Sequence, residues 1–185
     1  MRHVTVEIDS REKNPLLFPK NMLWYDDNNH AVQLQVSTVT KTLPFGDYRL
    51  RAYPREVVIE RKAGVDELAQ NLQTADSVRF QAAFKRFLEG CTRPVLLLDC
   101  SLAKCDSFGF TTVLHPASTM SAFWRMVLQS PKLLVLWAGN TMSIKTRTSL
   151  GAQLIRLMLS GAELSSLELP PEDQEHPSLS SREVF

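Results

Sequence analysis

Apolar and polar residues alternate over residues 4–8, and their β-branched character predicts a first strand that ends at Asp9, followed by a polar loop over 10–14. Residues 15–30, with two prolines and the polar cluster Asp26-Asp27-Asn28-Asn29-His30, read as a loop or short helix leading into a turn. The alternation V-Q-L-Q-V-S-T-V marks a second strand over 31–39. A turn over 43–46 leads to a hairpin of 47–52 and 56–61 across Tyr53-Pro54-Arg55. Helical spacing then takes over. Val65, Leu68, Ala69 and Leu72 share one face, and a second helix from Ser77 carries Phe80, Ala83, Phe84, Phe87 and Leu88 before the stop signal Gly90. The run R-P-V-L-L-L-D over 93–99 suits a central buried strand, and residues 104–116 read as an exposed loop. A helix capped by Ser118 or Thr119 carries Phe123, Trp124, Val127 and Leu128. Another buried strand follows over 133–137 and a long helix over 143–160. This order predicts an α/β fold: a mixed β-sheet flanked by α-helices, with early antiparallel strands and later strands joined by helical crossovers.

Length and composition change this picture little. The 185 residues, 44% hydrophobic and 22% charged, suit one soluble globular domain with a sizeable core. No apolar run approaches a membrane span, and Met1-Arg2-His3 leads straight into the first strand pattern without a signal peptide. The expectation is an intracellular protein with no membrane partner, cytoplasmic in a prokaryote or phage-infected cell and nuclear in a eukaryote. Three cysteines with no C-x-x-C pair read as reduced thiols. Charge is more informative. Residues 163–185 hold six acids and one base, whereas residues 1–162 hold 20 bases and 14 acids, a net +6. The chain therefore divides into a basic domain over 1–162 and an acidic, proline-containing tail over 163–185, extended or partly disordered. A modest positive excess suits phosphate binding, although surfaces that bind nothing often carry one too.

Candidate chemistry gathers between Gly46 and Asp66. Asp47 and Glu60 fall at strand ends and offer hard oxygen ligands suited to Mg²⁺ or Mn²⁺. Lys62, two positions after Glu60, shares its side of the strand. Two carboxylates and an ammonium on one face form an arrangement that metal-dependent phosphodiester cleavage needs, the lysine acting on the attacking water or on charge at the phosphorus. Singly, each has a bland reading: Gly-Asp is a common turn, and Glu60-Arg61-Lys62 could be a charged strand end. Asp66 reads as a helix-start residue. Arg79, Lys85 and Arg86 flank the apolar stripe of the second helix as either solvated charges or phosphate contacts. His30 and His115 stand apart from any ligand cluster, and no glycine-rich phosphate loop occurs.

The spaced pattern G-D…E-R-K-x-x-x-D, carried by Gly46-Asp47, Glu60-Arg61-Lys62 and Asp66, resembles the signature of the XPF-type structure-specific DNA endonucleases. The likeness extends to V-E-I-D-S-R-E, ending at Glu12, which is similar to the family's opening strand with its acid and following Arg-Glu. It also takes in Arg79-Phe80-Gln81, which is similar to the R-x-x-Q region, and spans residues 3–160. The resemblance implies a restriction-endonuclease-like fold and hydrolysis of branched or flapped DNA, as in DNA repair or recombination. It implies that Asp47 and Glu60 hold the divalent ion with the backbone carbonyl of Arg61, and that Lys62 serves the chemical step. Asp9 would be a further ligand or a supporting partner, Glu12 and Asp66 supports, and Arg11, Arg79, Lys85 and Arg86 DNA contacts. Family members pair through their nuclease domains, which implies a homodimer or heterodimer through the C-terminal half, here residues 118–137 and the last helix with Leu150, Leu154, Leu157 and Met158. Larger members carry a tandem helix-hairpin-helix module, and some a helicase domain; neither is legible in this sequence. Two other classes stay open: a non-catalytic DNA-binding or scaffolding subunit on the same fold, and a sequence-specific restriction enzyme.

Overall fold

Val4, Val6 and Ile8 alternate with polar residues because they occupy one face of strand β1 (Arg2–Asp9), whose other face carries Thr5, Glu7 and Asp9. The computed structural model describes residues 1–26, 28–73, 77–105, 115–139 and 143–168. Strands β2 (Asn21–Tyr25) and β3 (Ala31–Lys41) form an antiparallel hairpin. The loop or short helix expected over residues 15–30 is thus corrected: it contains an edge strand, which the neighbouring prolines and polar cluster conceal. That hairpin also reverses the expected relation of the first strands. Because β2 takes up the return direction, β3 runs parallel to β1, with Glu7 opposite Val39 and Asp9 opposite Lys41.

Strand β4 (Tyr48–Leu50) pairs antiparallel with β5 (Val57–Lys62), as the hairpin pattern predicts, and also antiparallel with β1. Helices α1 (Val65–Gln73) and α2 (Ser77–Gly90) lead to β6 (Arg93–Leu98), parallel to β5. The short α3 (Leu102–Cys105) and α4 (Pro116–Leu128) precede β7 (Leu134–Trp137), parallel to β6, and α5 (Ile144–Glu168) follows. The sheet is mixed and seven-stranded in the order β2-β3-β1-β4-β5-β6-β7.

Helix α5 covers one face, burying Leu154, Ile155 and Met158 against Val6, Ile8, Leu34, Val57 and Ile59. On the other face α1 and α4 bury Val65, Leu68 and Phe123 against Leu96 and Leu98, while the α2 stripe Phe80, Phe84 and Phe87 packs on Val58. Each such side chain contributes roughly 1.5–3 kcal/mol of hydrophobic stabilisation. Tyr48 is fully buried in the sheet, and its hydroxyl accepts the Leu16 N–H at 3.0 Å. Arg147 of α5 donates to the Pro15 carbonyl, so the segment after β1 is tied down from two sides.

Two boundaries differ from the sequence reading. Helix α4 opens at Pro116 with His115 as its extended cap residue, so Ser118 and Thr119 lie in the first turn instead of capping it; proline at the helix start needs no N–H partner. Helix α5 runs on to Glu168, into the acidic segment read as tail, and the remainder of that tail lies outside the described residues. The expected loop over 104–116 also lies largely outside them. The three cysteines are free and buried. Among the described residues, no helix is long and apolar enough to cross a membrane.

Candidate active site

Gly46 turns the chain into β4 with φ +68°, a conformation that favours glycine. A Cβ there would stand 2.3 Å from the Val58 side chain, so space makes the same demand. The turn delivers Asp47 between two strands: its N–H donates to the Ile59 carbonyl at 2.7 Å and its carbonyl accepts from the Asp9 N–H at 2.8 Å. The carboxylate then accepts the Arg61 N–H at 2.7 Å. On β5 the buried run Val57-Val58-Ile59 carries Glu60 and Lys62 to the strand's carboxyl end, on the face that holds Val58 and α2.

Asp47 and Glu60 line one cleft together with Arg11, and a neighbouring cleft adds Glu12, Lys62 and Glu67. Burial pushes the Asp47 carboxyl well above the ordinary carboxylate range, and the negative charge of Glu60 pushes it further, against the lowering by the Arg61 N–H and Lys62. A cation between these carboxylates would relieve that unfavourable charge. Lys62 is only 7% exposed. Its Nζ donates to Glu60 at 2.8 Å and to Glu67 at 3.4 Å, and stands 5.5 Å from the centroid of the Phe80 ring. Burial works against the Lys62 charge, but Glu60 and then Glu67 outweigh it, so the ammonium is held above its ordinary range and stays charged.

Asp9 is fully buried and its oxygens are engaged. One accepts the Arg11 N–H at 2.7 Å and Nε at 2.8 Å, the other Arg11 Nη2 and the Leu43 N–H, each at 2.8 Å. These bonds outweigh the effect of burial and keep Asp9 ionised. Of its two expected places, further ligand or supporting partner, the arrangement fits the second: Asp9 anchors Arg11, whose side chain is 67% exposed and lines both clefts. Glu12 accepts from Arg61 at 3.3 Å. Arg61 turns away from Glu60 and Lys62 and also donates to the Asn14 carbonyl at 3.0 Å and to Asp99 at 2.5 Å.

Asp66 takes the helix-start place that the sequence suggests. It faces solvent in the first turn of α1, and the next residue, Glu67, takes the inward position. One Glu67 oxygen meets Lys62 and the other accepts the Ala63 N–H at 2.9 Å, reaching back over the helix start in the manner of a capping box. A second acid in the first helical turn is the signal that could have found it. Arg79 and Arg86 stand two turns apart on α2 and line clefts shared with Glu60, Arg79 beside Lys62 and Arg86 beside Asp47. Lys85 points elsewhere, 3.7 Å from Glu89, and is not brought to the site. Phe80 and Asp99 were also missed; each reads in the sequence as ordinary core or strand-end chemistry. Among the described residues, no group of three or more His, Cys, Asp or Glu side chains could hold a metal ion. A pair of carboxylates suits a hard cation that keeps waters, unlike the crowded N/S sets that zinc favours.

A mixed sheet with helices on both faces, and two carboxylates with a lysine gathered where β4 begins and β5 ends, defines the restriction-endonuclease-like fold class. The family model described as the ERCC4 domain matches residues 8–144, and the chain belongs to that family, which includes the XPF-type nucleases. A solved structure of XPF from Aeropyrum pernix superposes with a TM-score of 0.55 at 17% identity, covering 96% of this chain and 69% of that one. A second, XPF from Aeropyrum pernix in complex with DNA, gives a TM-score of 0.50 at 16% identity, covering 89% and 66%. No curated protein matches the sequence significantly.

Proposed function

We propose that this chain is a divalent-metal-dependent endodeoxyribonuclease that hydrolyses phosphodiester bonds in branched or flapped DNA, serving repair or recombination. One observation carries the reading: Asp47, raised by burial and by Glu60, shares a cleft with Glu60 and Arg11 beside a charged Lys62. Membership of the ERCC4-domain family supports it, as does the DNA complex of the similar XPF structure. Asp47 and Glu60, with the carbonyl of Arg61, would hold Mg²⁺ or Mn²⁺. When bound, that ion supplies Lewis acidity and a water of lowered pKa. Arg11, held by Asp9, binds a non-bridging phosphate oxygen at the cleft edge. Lys62, held against Glu60, acts on the attacking water or neutralises charge developing on the phosphorane. Arg79 and Arg86 take flanking phosphates, which position the strand without reading bases.

Labelled duplex, flap, fork and four-way-junction DNA, each with Mg²⁺, Mn²⁺ or EDTA, test the reading. Metal-dependent cutting of branched substrates, faster than of an equal-length duplex, is expected. Cutting confined to one base sequence would favour the restriction-enzyme alternative, and binding without cutting the non-catalytic subunit.

Pairing through the C-terminal half belongs to the same proposal, on a narrower surface than the sequence suggests. Leu154 and Met158 are consumed by the chain's own core, whereas Trp124, Leu128 and Leu134 are exposed. Light scattering at micromolar concentration should show a dimer, or a monomer that dimerises with a related chain. A monomer cutting branched DNA at full rate would count against it.

A further inference from the structure

On the sheet face that carries the candidate site, no helix among the described residues lies over the half formed by β3, β1 and β4: Gln33, Gln35 and Ser37 are exposed there. In its middle lies Glu7, 3% exposed, with three cations around it. Arg49 Nε donates to it at 2.9 Å, Lys41 Nζ at 3.2 Å and Arg51 Nε at 3.4 Å. One cation is enough to neutralise Glu7. Arg49 fills that role: its side chain is 10% exposed and its guanidinium also contacts the Pro54 carbonyl. Lys41 and Arg51 are surplus. Their side chains are 46% and 56% exposed, their contacts are the longer ones, and together they leave two net positive charges on this face.

Their placement gives the surplus a direction. Glu7 stands two residues before Asp9 on β1, roughly 7 Å along the strand, and Asp9 holds Arg11 at the cleft. Lys41 is register-paired with Asp9 itself. Arg51, Lys41 and Arg11 thus form a row of half-free cations that leads across the open sheet to Asp47 and Glu60. We infer that Lys41 and Arg51 form a phosphate track for the nucleic-acid arm flanking the scissile bond, a binding surface separate from the cleft and from α2. The inference rests on the reading of this chain as a nuclease. Two half-exposed cations that share one already neutralised carboxylate lose little by turning to phosphate oxygens, and each phosphate neutralised releases condensed counterions.

The test is fluorescence anisotropy with branched DNA of short and long arms in EDTA, across a salt series. It compares the wild-type protein with Lys41→Gln/Arg51→Gln and with Lys132→Gln/Lys145→Gln, which removes equal charge from exposed positions flanking β7. Arg49 is left intact, so Glu7 keeps its partner, and thermal melts check folding. Losing two phosphate contacts should flatten the plot of log affinity against log salt by about 1.8, so the loss of long-arm binding between 50 and 200 mM salt shrinks roughly tenfold. Short-arm binding and the β7 variant should stay near wild type. An unchanged slope, or an equal change in the β7 variant, would overturn the track and leave Lys41 and Arg51 as partners of Glu7 alone. A wild-type protein that binds long-arm DNA with this slope but never cuts it would sink the nuclease reading and keep the track. Absence of DNA binding would sink both.

Discussion

Replacing Lys62 by methionine keeps most of the apolar stem over Phe80 and removes the ammonium that holds Glu60 at 2.8 Å and Glu67 at 3.4 Å. Gross attraction at these distances is several kcal/mol per pair at an effective dielectric near 20. Breaking a buried pair typically costs about 3–5 kcal/mol. The Glu60 and Glu67 side chains are 22% and 42% exposed, so water recovers part of that, and a loss of about 2–3 kcal/mol is expected. At this chain length each kcal/mol lowers Tm by about 2–4 °C, so the variant should melt roughly 4–12 °C lower in EDTA. Mg²⁺ should shrink the difference, because a cation between Asp47 and Glu60 replaces some of the lost positive charge. The chemical step should suffer separately, with a single-turnover rate on flap DNA about a hundredfold lower at saturating DNA and metal. Differential scanning fluorimetry and quenched-flow cleavage measure the two effects. Cleavage restored by raising the DNA concentration would make Lys62 a binding residue, and an unchanged Tm would refute the charge network described here.

Arg61→Ala removes a buried guanidinium from Glu12, Asn14 and Asp99 and should cost about 3–5 kcal/mol in urea unfolding, with no rescue by lysine, whose single ammonium cannot span the three partners; a loss under about 1 kcal/mol would contradict the network. Asp47→Asn should abolish cleavage and the stabilisation by Mg²⁺, yet raise Tm in EDTA at neutral pH, since a carboxyl whose folded pKa is raised loses stability on ionising while an amide oxygen can still accept the Arg61 N–H. A lower Tm in EDTA would show that the carboxylate is not strained. Glu7 and Asp9 carry the opposite sign: both are held below their ordinary range, so their contribution is present above about pH 4 and should be lost as pH falls below it. Circular dichroism melts of wild type and Glu7→Gln between neutral and acid pH should converge at the acid end, and parallel curves would argue against that linkage.

Much of this protein is written locally. Period-two alternation in β1 and β3, the apolar run of β6, and the helical stripes of α1 and α2 were legible because each element's burial is one-sided or complete, which leaves a simple pattern in the sequence, whereas β7, read as a buried strand, lies at the sheet edge and is only partly buried. Asp47, Glu60 and Lys62 were legible as candidates because their positions follow from a turn and from strand periodicity alone. Tertiary structure decided what depends on partners distant in sequence. The parallel pairing of β1 with β3 follows from an edge strand whose hydrogen bonds, not its composition, define it. Asp9 becomes the anchor of Arg11 because the Leu43 N–H, far along the chain, takes one of its oxygens. Glu67 displaces Asp66 because the angle at which α1 leaves β5 turns one of two adjacent acids toward Lys62. The cations around Glu7 come from the end of β3 (Lys41) and from β4 and the residue after it (Arg49 and Arg51), so only the pairing of both strands with β1 brings them to one carboxylate. Short-range geometry is encoded in periodicity, whereas charge pairing across strands exists only once the sheet has fixed which strands are neighbours.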